Sequence, residues 1–304
     1  MSCIKMDHRA FLGDLPPQTK AELYQHQAGR GLRHLMGHLG LIVIFGFLGL
    51  SSWPGAWVAL FALGVALVFL FTLEHETAHK TPFVTPWIND AVGCACGLVI
   101  LLPFTWFRYF HLAHHRYTND PERDPELLAG GAPKTWPAFV WHVSGVPYWS
   151  SMARTTLALA LGKPPEAFVP LRAHGTVRRE AQIMCLLYIA AALSLVWSPL
   201  VFVLWWGPVL AAQPVLRLYL LAEHSHCPPV ADMFVNTRTV FTNPLVRFLA
   251  WNMPYHIEHH AAPQVPFYKL PKLHELAKSH LVTTAPSYHA FHRDFATRLS
   301  SKEL

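Results

Sequence analysis

Four stretches of the chain run apolar almost without charge. Residues 35–50 read LMGHLGLIVIFGFLGL and residues 55–73 read GAWVALFALGVALVFLFTL, with only SSWP between them. Residues 183–197 and 200–222 form a second such pair, joined at SPL. A helix needs ~20 apolar residues to cross a bilayer. The second and fourth stretches are about that length, and the first and third reach it with their flanks. The short links predict two helical hairpins.

The links carry no Lys or Arg. The excess lies on the other side, at Lys5, Arg9, Lys20, Arg30 and Arg33, then through Lys80, Arg108, Arg116, Arg123, Lys134, Arg154, Arg178 and Arg179, and again at Arg238 and Arg247. Positive residues stay cytoplasmic, so both termini and the long middle segment are expected there. Trp53, Trp57 and Trp197 sit near the links, where amphipathic rings favour the interface. A fifth apolar stretch, residues 91–106, is short and holds Gly93, Gly97 and Pro103. It reads as re-entrant or interfacial, with a true fifth span as the alternative. The Pro/Gly-rich runs AGGAPKTWP and GKPPEAFVP read as cytoplasmic loop. Phe45, Phe47, Phe61, Trp205 and Trp206 read equally as tunnel lining or as lipid-facing packing.

Composition supports this picture. Hydrophobic residues make up 52% of 304 and charged residues 14%, against roughly 25% charged in a soluble domain. The expected fold is an all-α membrane protein. Four transmembrane helices in two hairpins and a re-entrant segment would carry a cytoplasmic helical cap holding a metal site. One domain is expected over residues 1–304, with residues 1–34 as a cytoplasmic N-terminal segment and 274–304 as a cytoplasmic tail. The net charge of +6 suits anionic lipid headgroups or an acidic partner. The basic residues are scattered rather than striped, which argues against nucleic acid. Cys3, Cys94, Cys96, Cys185 and Cys227 are odd in number and form no CxxC, which suits a reducing side. The first twenty residues lack the apolar core of a signal peptide. The terminal SKEL is read as a chance likeness to a retention signal.

Histidine is where the pattern turns chemical. His75 and His79 are four apart, so a helix puts both rings on one face. His111, His114 and His115 stand at i, i+3 and i+4, and His256, His259 and His260 repeat that spacing. Eight imidazoles exceed one tetrahedral zinc site, and two metals would share about four nitrogens each. Imidazole suits iron, zinc, copper and nickel alike. Topology sends all three clusters to one face. His224 or His226, just after the fourth apolar stretch, can complete the site, and His224 is favoured because it is still within helical reach. His8, His26, His34, His38, His142, His174, His274, His280, His289 and His292 are read as surface or satisfied core residues.

With HxxxH (His75, His79), HxxHH (His111, His114, His115) and HxxHH (His256, His259, His260) in place, the chain resembles the integral-membrane fatty acid desaturase and hydroxylase superfamily. The likeness covers most of the chain, and two apolar stretches precede the first box and two separate the second from the third. It implies two non-haem iron ions, with O2 as co-substrate attacking an unactivated C–H bond in a lipid-like chain. It also implies a further histidine before the third box, matched by His224. The runs HHRYTNDPERDPE and WNMPYHIEHH look most like bacterial desaturases, which implies a bacterial inner membrane. HxxxH is shared with hydroxylase and ketolase branches, so desaturation and hydroxylation both stay open.

Asp120 and Asp124 are candidates to orient the ligand rings, against a plain acidic loop paired with Arg116 and Arg123. Glu122 and Glu126 belong to the same acidic run. Asn252 is a candidate to hold a metal-bound water or to cap a turn, and Glu76 and Glu258 lie inside boxes. No catalytic residue separate from the metal ligands is expected. HETAH also fits the HExxH zinc-protease motif with Glu76 as base, and a histidine-rich metal transporter is a second rival. The protease would leave most clustered histidines unexplained, and transporters place ligands mid-membrane. No haem-attachment or dinucleotide motif occurs, so electrons are expected from a separate donor, a ferredoxin or cytochrome with its reductase.

Overall fold

The computed structural model describes residues 6–301, so Cys3, Lys5 and the last three residues of SKEL lie outside it. Helix α1 spans Arg30–Gly49 and α2 spans Ala56–Ala78. Both outrun the apolar stretches that predicted them: α1 starts more than a turn earlier, and α2 continues through His75. Among the described residues these two are long and apolar enough, each alone, to cross a membrane.

Helices α3 (Pro86–Ile100) and α4 (Phe104–Tyr117) follow, bent by 99° to one another. The chain reverses where Leu101 adopts a left-handed backbone, φ 58°. Pro103 then stands at the N-cap of α4. The expected re-entrant stretch 91–106 is therefore two helices with a sharp corner. His79 before the corner and His111 beyond it come back together, Nε2 to Nε2 at 2.7 Å.

The middle segment is more helical than its Pro/Gly-rich runs suggest. Helix α5 (Trp136–Val143) starts where AGGAPKTWP ends, with Thr135 accepting from the Ala138 N–H at 3.3 Å. Helix α6 (Val146–Ala160) follows, and GKPPEAFVP then runs as irregular chain into a 3-10 turn. Helix α7 (His174–Ser194) absorbs the third apolar stretch but begins nine residues earlier, because Arg178, Arg179 and Glu180 continue the helix. The Thr105 N–H at the start of α4 donates to Glu180 at 2.9 Å. Residues 200–224 are one helical run, a π segment at Phe202–Trp206 leading into α8 (Gly207–His224). The charged turn of α7 and the π segment before α8 interrupt uniform apolar helix, so neither meets the membrane-crossing criterion alone.

Helix α8 lies directly on α2. A Cβ on Gly64 would sit 2.1 Å from the Pro208 carbonyl oxygen, so only a residue without one allows that approach. Leu63, Leu67, Val68, Val209 and Leu216 share this core with Trp251, Met253, Ile257 and Phe267 from the C-terminal segment. Phe47 and Phe61 face outward, which fits lipid contact rather than a tunnel. Trp205 donates its indole N–H to Val99 O at 2.8 Å.

Beyond α8, two-residue strands β1 (Thr239–Val240) and β2 (Thr284–Ala285) pair in parallel. They frame α9 (His256–Ala261) and α10 (Leu270–Ala277). The last helix, α11 (Tyr288–Ser301), buries Phe291, Phe295 and Leu299 against Leu221, Ala222 and Val240. Helix α11 is thus packed onto the end of α8 rather than trailing from it.

Candidate metal centre

Four helix ends deliver the histidines. His75 closes α2, with His79 at its C-cap. His111, His114 and His115 share one face of α4, His224 ends α8, and α9 carries His256, His259 and His260. One ligand atom from each of His75, His111, His115 and His259 lies within 4.8 Å of the others. His79 joins them, its Nε2 2.7 Å from that of His111. A second group brings His114, His224 and His260 together within the same limit. His256 joins it, its Nε2 3.0 Å from that of His224. The rings of His115 and His260 stack at 4.0 Å, which sets the two groups side by side.

All nine expected histidines thus fall into a set of five and a set of four. His226 does not: it is exposed and stacks on Phe295 at 4.9 Å. His38, read as a core residue, is one. Its Nε2 meets Ala66 O at 2.8 Å, and its Nδ1 accepts from the Trp251 indole at 3.1 Å.

The donor set fits metal. Imidazole nitrogens bound ~2.1 Å from one ion, at angles near 90–110°, stand ~3.0–3.4 Å apart. The Nε2 pairs His115–His259 and His114–His224 are each at 3.2 Å. The Nε2 of His260 is buried with no protein partner, a costly condition unless a ligand takes it up. Burial holds His256, His259 and His260 well below the usual imidazole range and His79 down to about 3. These rings are neutral at pH 7 and keep a lone pair to donate.

Oxygen atoms stand behind the rings of His114, His259 and His260. The Nδ1 of His114 lies 2.9 Å from Asp124. A carboxylate only accepts, so Nδ1 carries the proton and Nε2 turns to the centre. Asp124 also accepts from the Asn119 and Glu126 N–H groups. Thr118 gives its hydroxyl proton to His114 O and stands 3.3 Å from the Nδ1 of His260. Glu76 lies 3.3 Å from the Nδ1 of His259 and accepts from Thr81 and the Phe267 N–H. Those contacts occupy the residue that the protease reading needs as a free base.

The other candidates sit elsewhere. Asp120 pairs with Arg123 at the surface, the Arg123 Nε donating at 2.8 Å. Asn252, at φ 59°, donates to Phe267 O at 3.1 Å and shapes the turn before α9. Glu258 bonds His274 and Thr239, tying α9 to α10 and β1. Glu223, 3.6 Å from His256, escaped sequence reasoning. Its one available signal was its place beside His224 at the end of an apolar helix.

Apolar helices that converge on paired polyhistidine groups define a membrane metalloprotein. The family model for fatty acid desaturase matches residues 51–292, and the chain belongs to that family. It is an oxidoreductase of the desaturase and hydroxylase type. It is 25% identical to the sn-1 oleoyl-lipid 12-desaturase of Arthrospira platensis, over 76% of this chain and 71% of that one. Against the sphingolipid delta(4)-desaturase DES1 of Drosophila melanogaster it is 28% identical, over 75% and 68%. Against the sphingolipid delta(4)-desaturase/C4-monooxygenase DES2 of Mus musculus it is 25% identical, over 79% and 71%.

Proposed function

We propose that this chain is an O2-dependent di-iron desaturase of the membrane, acting on a fatty-acyl or other lipid-like chain. The observation that carries the reading is the division of nine imidazoles into adjacent sets of five and four. His75, His79, His111, His115 and His259 would hold one iron, and His114, His224, His256 and His260 the other. When bound, the pair supplies the activation of O2 needed to remove hydrogen from an unactivated carbon. The protein's part is positional. Asp124, Thr118 and Glu76 stand behind ligand rings, and α2, α4, α8 and α9 bring the nine histidines to one place.

All three boxes and both termini are read as cytoplasmic, with α1, α2, α7 and α8 as spans and the α3–α4 corner as re-entrant. The Lys and Arg distribution supports that orientation. Residues 1–304 are read as one domain. Two electrons per turnover would come from a separate carrier, a ferredoxin or cytochrome with its reductase, steered by basic residues on that face. A second reading is hydroxylation by the same site. The DES2 relative, whose name joins a desaturase to a C4-monooxygenase, favours keeping it.

Metal analysis with product analysis tests the proposal. The purified protein should bind about two irons, and cells carrying it should gain an alkene in a lipid-like chain. One zinc per chain, or full turnover by His114→Ala with full iron, refutes it. An alcohol in place of the alkene selects the second reading.

A further inference from the structure

A row of polar groups runs along the inner face of α8, away from the metal centre. Arg217 and His224 are seven residues apart, two helical turns on one face, or ~10 Å along the axis. Gln213 lies one further turn along. The Arg217 guanidinium sits over the Tyr148 ring at 4.6 Å, while the Tyr148 hydroxyl donates to Ile100 O at 2.7 Å. The ring is thus fixed, and the guanidinium rests over it.

Arg217 and Tyr148 are half-buried. Glu126 is exposed, with 49% of its side chain accessible. Glu126 reaches toward the metal centre, 3.4 Å from the Nδ1 of His114. Among the described residues Arg217 makes no ion pair within 4.0 Å, and its Nε has no hydrogen-bond partner. Glu126 and Glu223 are near it, but each is turned to a ligand ring. Gln213 is fully buried with both amide atoms unpartnered, and the Trp149 indole N–H is unpartnered too. Both side chains pack at Gly145, where an added Cβ would meet the Gln213 Cγ at 2.4 Å and the Trp149 indole nitrogen at 3.6 Å. Buried polar atoms left unpaired cost stability, and an alkyl chain cannot pair them.

We infer that Arg217, with Gln213 and Trp149 beyond it, binds a carboxylate on the substrate, so that oxidation falls at a carbon close to that headgroup. This rests on the histidine site being the oxidising centre. A guanidinium edge matches a carboxylate with two parallel hydrogen bonds. The two-turn spacing to His224 keeps the bound headgroup near the metal, which excludes attack far down a long chain.

Binding to the full-length, iron-loaded protein in a non-ionic detergent tests the inference, with octanoate, octanol and octyl phosphate as probes. Octanoate should bind at least about tenfold more tightly than octanol, the size expected of a charge-assisted hydrogen bond. Arg217→Met should erase that preference with iron content unchanged, and Arg217→Lys should retain part of it. If neither variant folds, the comparison on the unmodified protein still decides. Equal binding of octanoate and octanol overturns the proposal, and so does tighter binding of octyl phosphate than of octanoate. A protein that prefers octanoate but oxidises nothing would sink the desaturase reading, and with it the position of oxidation, and leave only the carboxylate site standing.

Discussion

The Nδ1 of His114 and the carboxylate of Asp124 lie 2.9 Å apart in the protein interior, ten residues apart in sequence. Asp124 is held in turn by two backbone N–H groups, so the ring behind the second metal group cannot swivel freely. Asp124→Asn should lower metal affinity about 10–100-fold while the helices stay formed. Asp120→Asn, changing a residue at the surface, should leave affinity within error. Metal titration of both proteins checks the contrast, and equal losses would refute it.

His260→Ala and His38→Leu should part company. The first removes a buried ring whose Nε2 faces the centre, so bound metal and turnover should fall while the protein still inserts in membranes. The second leaves Ala66 O and the Trp251 N–H without their partner and should cost about 1–3 kcal/mol of stability. Metal per folded molecule should not change in that variant. Metal content and thermal unfolding, measured side by side, separate the two roles.

Gly64→Val places side-chain carbon against the Pro208 carbonyl, where a Cβ alone would come within 2.1 Å. Overpacking of this kind costs about 1–3 kcal/mol. Because α2 carries His75 and α8 carries His224, both metal groups should loosen although no ligand changes. Faster loss of metal to a chelator than in the unsubstituted protein is the expected reading.

If electrons come from a separate carrier, the protein with O2 and substrate alone should stop after about one turnover per reduced site. An acidic carrier with its reductase should restore cycling, and added salt should weaken that rescue, since surface charge is screened over ~8–10 Å. Sustained oxidation on NADH alone would show a redox module within the chain. Rescue indifferent to salt would remove the electrostatic docking and keep the donor.

Sequence alone determined the helical class, the membrane setting and the histidines. Each of these is local: an apolar run and an i, i+3, i+4 spacing are legible wherever they occur, because helix geometry converts spacing into a shared face. It also favoured His224 over His226, since the former continues the helical run of α8. Helix ends were less legible. Arg178, Arg179 and Glu180 interrupt the apolar pattern of α7 without interrupting its backbone, and the π segment before α8 leaves no mark in hydropathy.

Only the tertiary structure decided which imidazole belongs to which group. His114 and His115 are neighbours in sequence, yet adjacent residues on a helix point ~100° apart, and they face different sets. It also separated Asp124, against a ligand ring, from Asp120, at the surface. The two are four apart and share a type, but they differ in what folds over them. The Glu76–His259 and Glu223–His256 contacts join segments brought together by packing alone. So does the approach of α8 to α2 at Gly64. A sequence records which groups a chain carries, and contacts between distant segments arise only when the chain closes on itself.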